Sequence, residues 1–255
     1  KAKESETNLN MQKQVVGLAL LCLLGFSSAG SIISTGVTPV EPKHSLGFSL
    51  CGVCTQFMGQ GINQLLNIIL NVGVVGGCGD LCSKAFPSKA TEQKVCNLLC
   101  DGVGIYSFIK MVEKFGKDID PIYFCELLKT CPVHDGGNVK MDSLTVTPPS
   151  GPQGTQFEID VAFTVTNQTG TGELVMDITP PKSMPFGDGE INTGFAPGQY
   201  AVKFQLQTQP TEQEFFEPGT YKVQFAACEG QCGAPYPHTK TYCEGLGNFS
   251  ITGQQ

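Results

Sequence analysis

The sequence predicts a two-domain α + β protein, a disulfide-stapled domain of four or five helices followed by an antiparallel β-sandwich. Three observations predict it. Eight of the twelve cysteines lie between Cys51 and Cys131, a density that belongs to exported, disulfide-locked domains. Apolar residues in that stretch recur every three or four positions, the period of a helix with one buried face. Further along, the period drops to two and Pro/Gly clusters interrupt it, as in short antiparallel strands.

Residues 11–29 read as a signal peptide. Met11 serves as a start, Lys13 as the positive n-region and Val15 to Phe26 as the apolar run, and Ser27-Ser28-Ala29 places small residues at the cleavage positions. The mature chain is then expected to begin at Gly30, having lost Cys22 and the polar residues 1–10. The apolar run is too short and wrongly flanked for a membrane span. Two sequons, Asn167-Gln168-Thr169 and Asn248-Phe249-Ser250, make Asn167 and Asn248 candidate glycosylation sites in an exported chain.

The helical domain is expected over residues 46–134. Its first helix carries Leu50, Cys54, Phe57, Met58, Ile62, Leu65, Leu66, Ile69 and Leu70 at helical spacing and ends at Gly73 and Gly76-Gly77. A short second helix, about 77–86, is stopped by Pro87. Thr91 is the expected N-cap of a third, which runs through Val95, Leu98, Leu99, Ile105, Phe108, Ile109, Val112 and Phe115 and bends at Gly102 and Gly104. Asp120-Pro121 starts a fourth, with Asp as N-cap and Pro at the first helical position.

These helices fix the cysteine pairing. Cys78 and Cys82 share one face of the second helix, and Cys96 and Cys100 share one face of the third. In an antiparallel hairpin the pairs nearest the turn meet first, which predicts Cys82–Cys96 and Cys78–Cys100. The same nesting predicts Cys54–Cys125 and Cys51–Cys131, one choice among 105.

The β-sandwich is expected over residues 139–255, after a linker at 135–142. Phe157 to Val165, Leu174 to Ile178, Tyr200 to Leu206 and Tyr221 to Phe225 alternate apolar and polar positions. Pro148-Pro149-Ser150-Gly151-Pro152, Thr169-Gly170-Thr171-Gly172, Pro180-Pro181, Ala196-Pro197-Gly198 and Glu217-Pro218-Gly219 supply the turns, a pattern of immunoglobulin-like type. Cys228 closes one strand and Cys243 precedes another, so Cys228–Cys243 is the expected bridge. Cys232 is then left over as a candidate intermolecular thiol. Charge divides the same way. Residues 44–134 carry seven Lys and seven Asp/Glu, whereas residues 135–255 carry five Lys against thirteen Asp/Glu. The chain has no Arg, and its formal charge is −7. Such a chain offers no basic stripe to a phosphate backbone, so no nucleic-acid partner is expected.

With Cys51-x2-Cys54 at one end, Cys125-x5-Cys131 at the other and amphipathic helices between, the first domain resembles the saposin B-type fold. It departs from that fold in the middle, where saposins use one bridge and this spacing gives two. The second domain carries Pro218-Gly219-Thr220-Tyr221-Lys222-Val223-Gln224-Phe225-Ala226-Ala227-Cys228-Glu229-Gly230-Gln231-Cys232-Gly233, then Tyr236-Pro237-His238 and Gly247-Asn248-Phe249-Ser250-Ile251. The combination resembles the countin family of secreted proteins of social amoebae, itself similar to amoebapores. That resemblance implies a secreted signal that regulates group size during aggregation, as part of a complex.

No enzyme site is evident. His44, His134 and His238 stand in no metal-ligand spacing, no G-x-S-x-G motif occurs, and no cofactor is expected. The functional candidates are apolar. Saposin-type domains open or dimerise to present an apolar face to lipid, and Phe57, Met58, Leu65, Leu66, Ile69, Ile105, Phe108, Ile109 and Phe124 would line that face; plain core packing uses the same residues. Lys110, Lys114 and Lys117 form a small basic strip suited to anionic headgroups, or to a solvated face beside Glu113 and Asp118. His134, just past Cys131, is a candidate pH sensor. The expected function is a secreted, non-enzymatic extracellular signalling or cell-density factor with a lipid-interacting module. Its expected partners are lipid or a membrane surface, other secreted subunits and a second copy in a homodimer. The alternatives are an amoebapore-like membrane-permeabilising effector and a lipid carrier.

Overall fold

Helices and strands segregate along the chain where the apolar period changes, with one exception near the N-terminus. The structure, a computed structural model, describes residues 32–39, 50–72, 76–115, 120–211 and 215–253. The expected signal peptide, His44, Lys117 and Asp118 lie outside the described residues. The helices are α1 (Leu50–Val72), α2 (Cys78–Ala85), α3 (Ala90–Val103), α4 (Ile105–Phe115) and α5 (Pro121–Leu127). On α1, Cys54, Phe57, Met58, Ile62, Leu65, Leu66 and Ile69 turn inward while Gln56, Gln60, Gln64 and Asn67 face water.

The expected bend falls at Gly104. Its φ of 80° is open to glycine at no steric cost, and the flanking helices meet there at 103°. Asp120 caps α5, its Oδ1 accepting from the Ile122 and Tyr123 amides at 2.8 and 3.1 Å, with Pro121 at the first helical position. Thr91 is not the cap of α3. The turn through Pro87 and Ser88 (φ 67°) closes so quickly that the helix has begun at Ala90, and Lys89, which precedes it, makes no side-chain cap bond.

Four disulfides nest as the helix spacing requires: Cys51–Cys131, Cys54–Cys125, Cys78–Cys100 and Cys82–Cys96. All eight half-cystines are buried within the helical core, beside Leu65, Leu81, Phe86, Phe108 and Phe124.

The strands are β1 (Ile32–Pro39), β2 (Asn138–Thr147), β3 (Ser150–Pro152), β4 (Gln156–Asn167), β5 (Gly172–Thr179), β6 (Phe186–Asn192), β7 (Gly198–Gln207), β8 (Gly219–Glu229) and β9 (Lys240–Thr252). They form two sheets, in the orders β1-β7-β4-β2 and β3-β9-β8-β5-β6. Strands β4, β5, β7 and β8 are the four alternating runs of the sequence. In β4 every second residue from Phe157 to Val165 is buried. The inner faces meet over an aromatic core in which Phe157 and Tyr221 both lie against Phe249, at 4.2 and 5.0 Å between ring centroids.

Two boundaries differ from the sequence expectation. Strand β2 begins at Asn138, because Val139 is already a buried core residue, so the connection from Cys131 spans only residues 132–137. Strand β1 precedes the helices in sequence, yet it pairs antiparallel with β7 at the edge of the first sheet. The helical stretch is therefore inserted between the first two strands of the sandwich.

The second-domain bridge also differs. Cys228 pairs with Cys232, not Cys243. The β8–β9 register sets Cys243 opposite Ala227 and, past a β-bulge, Thr241 opposite Cys228, so Cys228 and Cys243 are not cross-strand partners. The chain instead turns back over Gly230 (φ 66°), which brings Cys232 within 5.4 Å of Cys228 between Cα atoms. Cys232 is therefore not the spare thiol; Cys243 is the free, half-buried one.

Candidate functional site

Of the nine candidate lipid-facing residues, Phe57, Met58, Leu65, Leu66, Ile69, Phe108 and Phe124 are buried, and Ile105 and Ile109 are partly buried against them. In this closed arrangement seven of the nine are buried in the core and two stand at its edge.

What the helical module shows to solvent is a different set. Tyr106 is 69% exposed, Leu70 70% and Leu98 56%. The Lys110 ammonium sits 4.5 Å above the Tyr106 ring, which places an aromatic face and a positive charge together on the outer side of α4. Lys114 is exposed on the same helix. Leu70 and Leu98 follow the apolar spacing of the sequence yet face solvent, and Tyr106 stands off that stripe. No single described helix is long and apolar enough to cross a membrane; α3 with the Ile105–Lys114 part of α4 meets that measure only as a pair bent by 103°.

A cleft of about 300 Å³ opens between α1 and the α2–α3 turn. Gln56, Gln60 and Gln64, one helical turn apart, form one wall. Lys89 stands across from them, and Phe57 and Phe86, 5.2 Å apart, make the floor.

The joint between the two modules is tied by hydrogen bonds from several segments. The Glu229 carboxylate, 1% exposed, accepts from the His134 amide at 2.7 Å, from the Gly170 amide at 2.9 Å and from the Tyr242 hydroxyl. It thereby ties residues 132–137, the β4–β5 loop and β9 to the end of β8. The Thr171 amide donates to the Pro132 carbonyl at 2.8 Å. The Thr171 hydroxyl lies 3.3 Å from Cys51 Sγ, a bridged sulfur that can only accept. Gly170 is required here. A Cβ at that position would fall 2.1 Å from Glu229 Oε1 and 2.7 Å from the His134 nitrogen.

Beside this clamp, Tyr123 of α5 stacks on Tyr236 at 4.5 Å, and His238 Nδ1 lies 2.5 Å from Asp135 Oδ1. The Asp135 carboxylate holds the His238 imidazole above its ordinary proton affinity. Glu126 of α5 has a buried Oε1 with no hydrogen-bond partner. Burial pushes its carboxyl up to about 7; His238 opposes the shift, and Asp120, Glu229 and Asp135 add to it. His134, the candidate pH sensor, contributes its backbone amide to the clamp, and its ring Nε2 lies 3.3 Å from Gln168 Nε2. Asn167 and Asn248 are both exposed.

Two family models match the chain, the Countin N-terminal domain over residues 49–129 and the Countin C-terminal domain over residues 139–255. Three proteins of Dictyostelium discoideum are similar along most of their length. Countin-1 is 44% identical over 203 residues, 80% of this chain and 78% of its own. Countin-3 is 39% identical over 79% of this chain and 89% of its own, and Countin-2 is 41% identical over 82% and 81%. Among solved structures, the C-terminal domain of wzt aligns with 49% of this chain and 80% of its own at a TM-score of 0.37 and 14% identity, a likeness too loose to argue from.

Proposed function

The chain belongs to the countin family, and from that premise we propose that it is a secreted, non-enzymatic group-size signal of the extracellular space, working as a subunit of a larger complex. The observation that carries this reading is the coverage: both countin domains match, and together they span all five helices and the sandwich from Val139 on. We further propose that the helical module is saposin-like and that the sandwich is immunoglobulin-like. The eight nested half-cystines support the first. The Tyr200 and Tyr221 hydroxyls, each donating to the carbonyl four residues back, support the second.

Lipid contact belongs to the helical module, which meets the headgroup region first through Tyr106 and Lys110 and reaches deeper only on opening. The permeabilising alternative asks more, since it needs α3 and α4 to straighten or to enter together.

Two measurements test the proposal. Purified mature chain added to aggregating social amoebae that lack their own countin should shift the number of cells per group; no shift across a wide concentration range rejects the signalling role. Co-sedimentation and dye leakage with anionic liposomes at pH 5 and pH 7 should show binding without leakage. Leakage would favour the permeabilising effector, and no binding at either pH would remove the lipid component.

A further inference from the structure

The joint between the modules brings together acidic side chains from four segments. Asp120 and Glu126 come from the start and body of α5, Asp135 from the connection, and Glu229 from the end of β8. His238, from the β8–β9 loop, is the cationic group that faces them when protonated. Asp135 pairs with His238, and Glu229 accepts from two amides and a hydroxyl. Asp120 caps α5 through its Oδ1, while its Oδ2 is buried without a partner. Glu126 has no such set of donors; one of its oxygens is buried without a partner, and as a carboxylate it would face three other acids across the joint.

We propose that this joint is a proton-operated latch: with Glu126 neutral and His238 charged, the helical module is held docked on the sandwich, and loss of those two protons frees it to move about residues 132–137. The direction follows from the groups themselves. A neutral Glu126 tolerates the burial of its Oε1 and can donate, whereas the ionised form pays for desolvation and repels Asp120, Asp135 and Glu229. A neutral His238 gives up its charge-assisted bond to Asp135. Both changes oppose docking, and both occur as the pH rises. The sites these protons regulate are the amides of His134 and Thr171, which tie the connection to the sandwich, and of Gly170, held by the same Glu229 carboxylate.

Hydrogen exchange at those three amides, followed by NMR on the full mature chain and corrected for intrinsic exchange, tests the latch. Between pH 5.5 and pH 8.5 their protection should fall by about tenfold, with a midpoint near 7, while the Val223 amide in the middle of β8 keeps its protection. Glu126→Gln should keep part of the three amides' protection at pH 8.5, since only His238 then loses a proton. Asp135→Asn, on the exposed side of the joint, should lower their protection at pH 5.5. Equal protection at the two pH values in the wild type overturns the proposal, as does a Glu126→Gln profile that matches the wild type. Should Glu126→Gln fail to fold, His238→Asn decides: the profile must broaden as the linked protons drop from two to one, and an unchanged profile overturns the latch.

Discussion

The helical module and the sandwich hide apolar side chains from water by different means. Eight of the twenty-two buried residues in the helical core are half-cystines, whereas the sandwich core has nineteen buried residues, none a cysteine and seven of them aromatic. Apart from the 23-residue α1 the helices are short, and α5 has only seven residues, too few to be stable by propensity. A module of roughly eighty residues sits near the size at which a core alone supplies little margin. The sandwich has a second source of order, since β4 pairs with β7 and β8 with β9 over ten or more residues, and each of the four pairs again along its other edge. The difference teaches where each half is vulnerable. The helical half depends on its oxidation state and the β half on its ring packing.

The largest expected effect breaks the first half of that comparison. Cys54–Cys125 and Cys51–Cys131 close separations of 71 and 80 residues, and removing either should cost about 4 kcal/mol. A Cys54→Ser/Cys125→Ser chain, or the wild type in strong reductant, should lose its helical circular dichroism at a temperature where the β signal persists. A single shared transition that moves as one would show instead that the modules unfold together. Next in size is the reverse experiment. Phe225 lies within 6.2 Å of Phe163 and 6.4 Å of Phe204 between ring centroids, and Phe225→Ala should cost about 3–5 kcal/mol. That loss should appear in the β transition and leave the helical melt in place, unless the joint at Glu229 couples the two.

Much of this architecture was legible in the residues, for identifiable reasons. Helical spacing places Cys78 with Cys82 and Cys96 with Cys100 on single faces, so antiparallel nesting leaves one arrangement. Strands β4, β5, β7 and β8 lie with one face in the core, which writes a period of two into the sequence. Other strands lack that record. Strand β9, expected only beyond Cys243, carries Gly245 and Gly247 where Met141 and Leu144 press close, β6 exposes Gly187, Asp188, Gly189 and Ile191, and β1 is separated in sequence from the partner it pairs with. The candidate site was half legible. The stripe Phe57 to Phe124 was found, but its burial and the exposure of Tyr106 depend on how the helices close. Glu126 at the joint carries no local signal at all, because the acids that crowd it come from segments up to about a hundred residues away.

The smallest expected effect concerns the one thiol left over, and it sharpens the comparison from the other side. If the sandwich does not rely on sulfur, its spare cysteine should be chemically quiet. Cys243 is half-buried on β9 opposite Ala227, and burial pushes its thiol up from 9.0 to about 11. The reactive species is the thiolate, and a rise of two units lowers its population near pH 8 by about a hundredfold. Iodoacetamide at pH 8 should therefore label the native chain about a hundredfold more slowly than the denatured, unreduced chain, with Cys243 as the alkylated position. Peptide mapping without reduction should find Cys228 and Cys232 joined within one peptide. The closed loop is so short that Cys228→Ser/Cys232→Ser should cost only about 2 kcal/mol, less than losing either long bridge of the helical module. A fast-labelling Cys232 together with a bridged Cys243 would reverse this assignment and hand the sandwich a staple across β8 and β9. The covalent contrast between the two halves would then be one of degree.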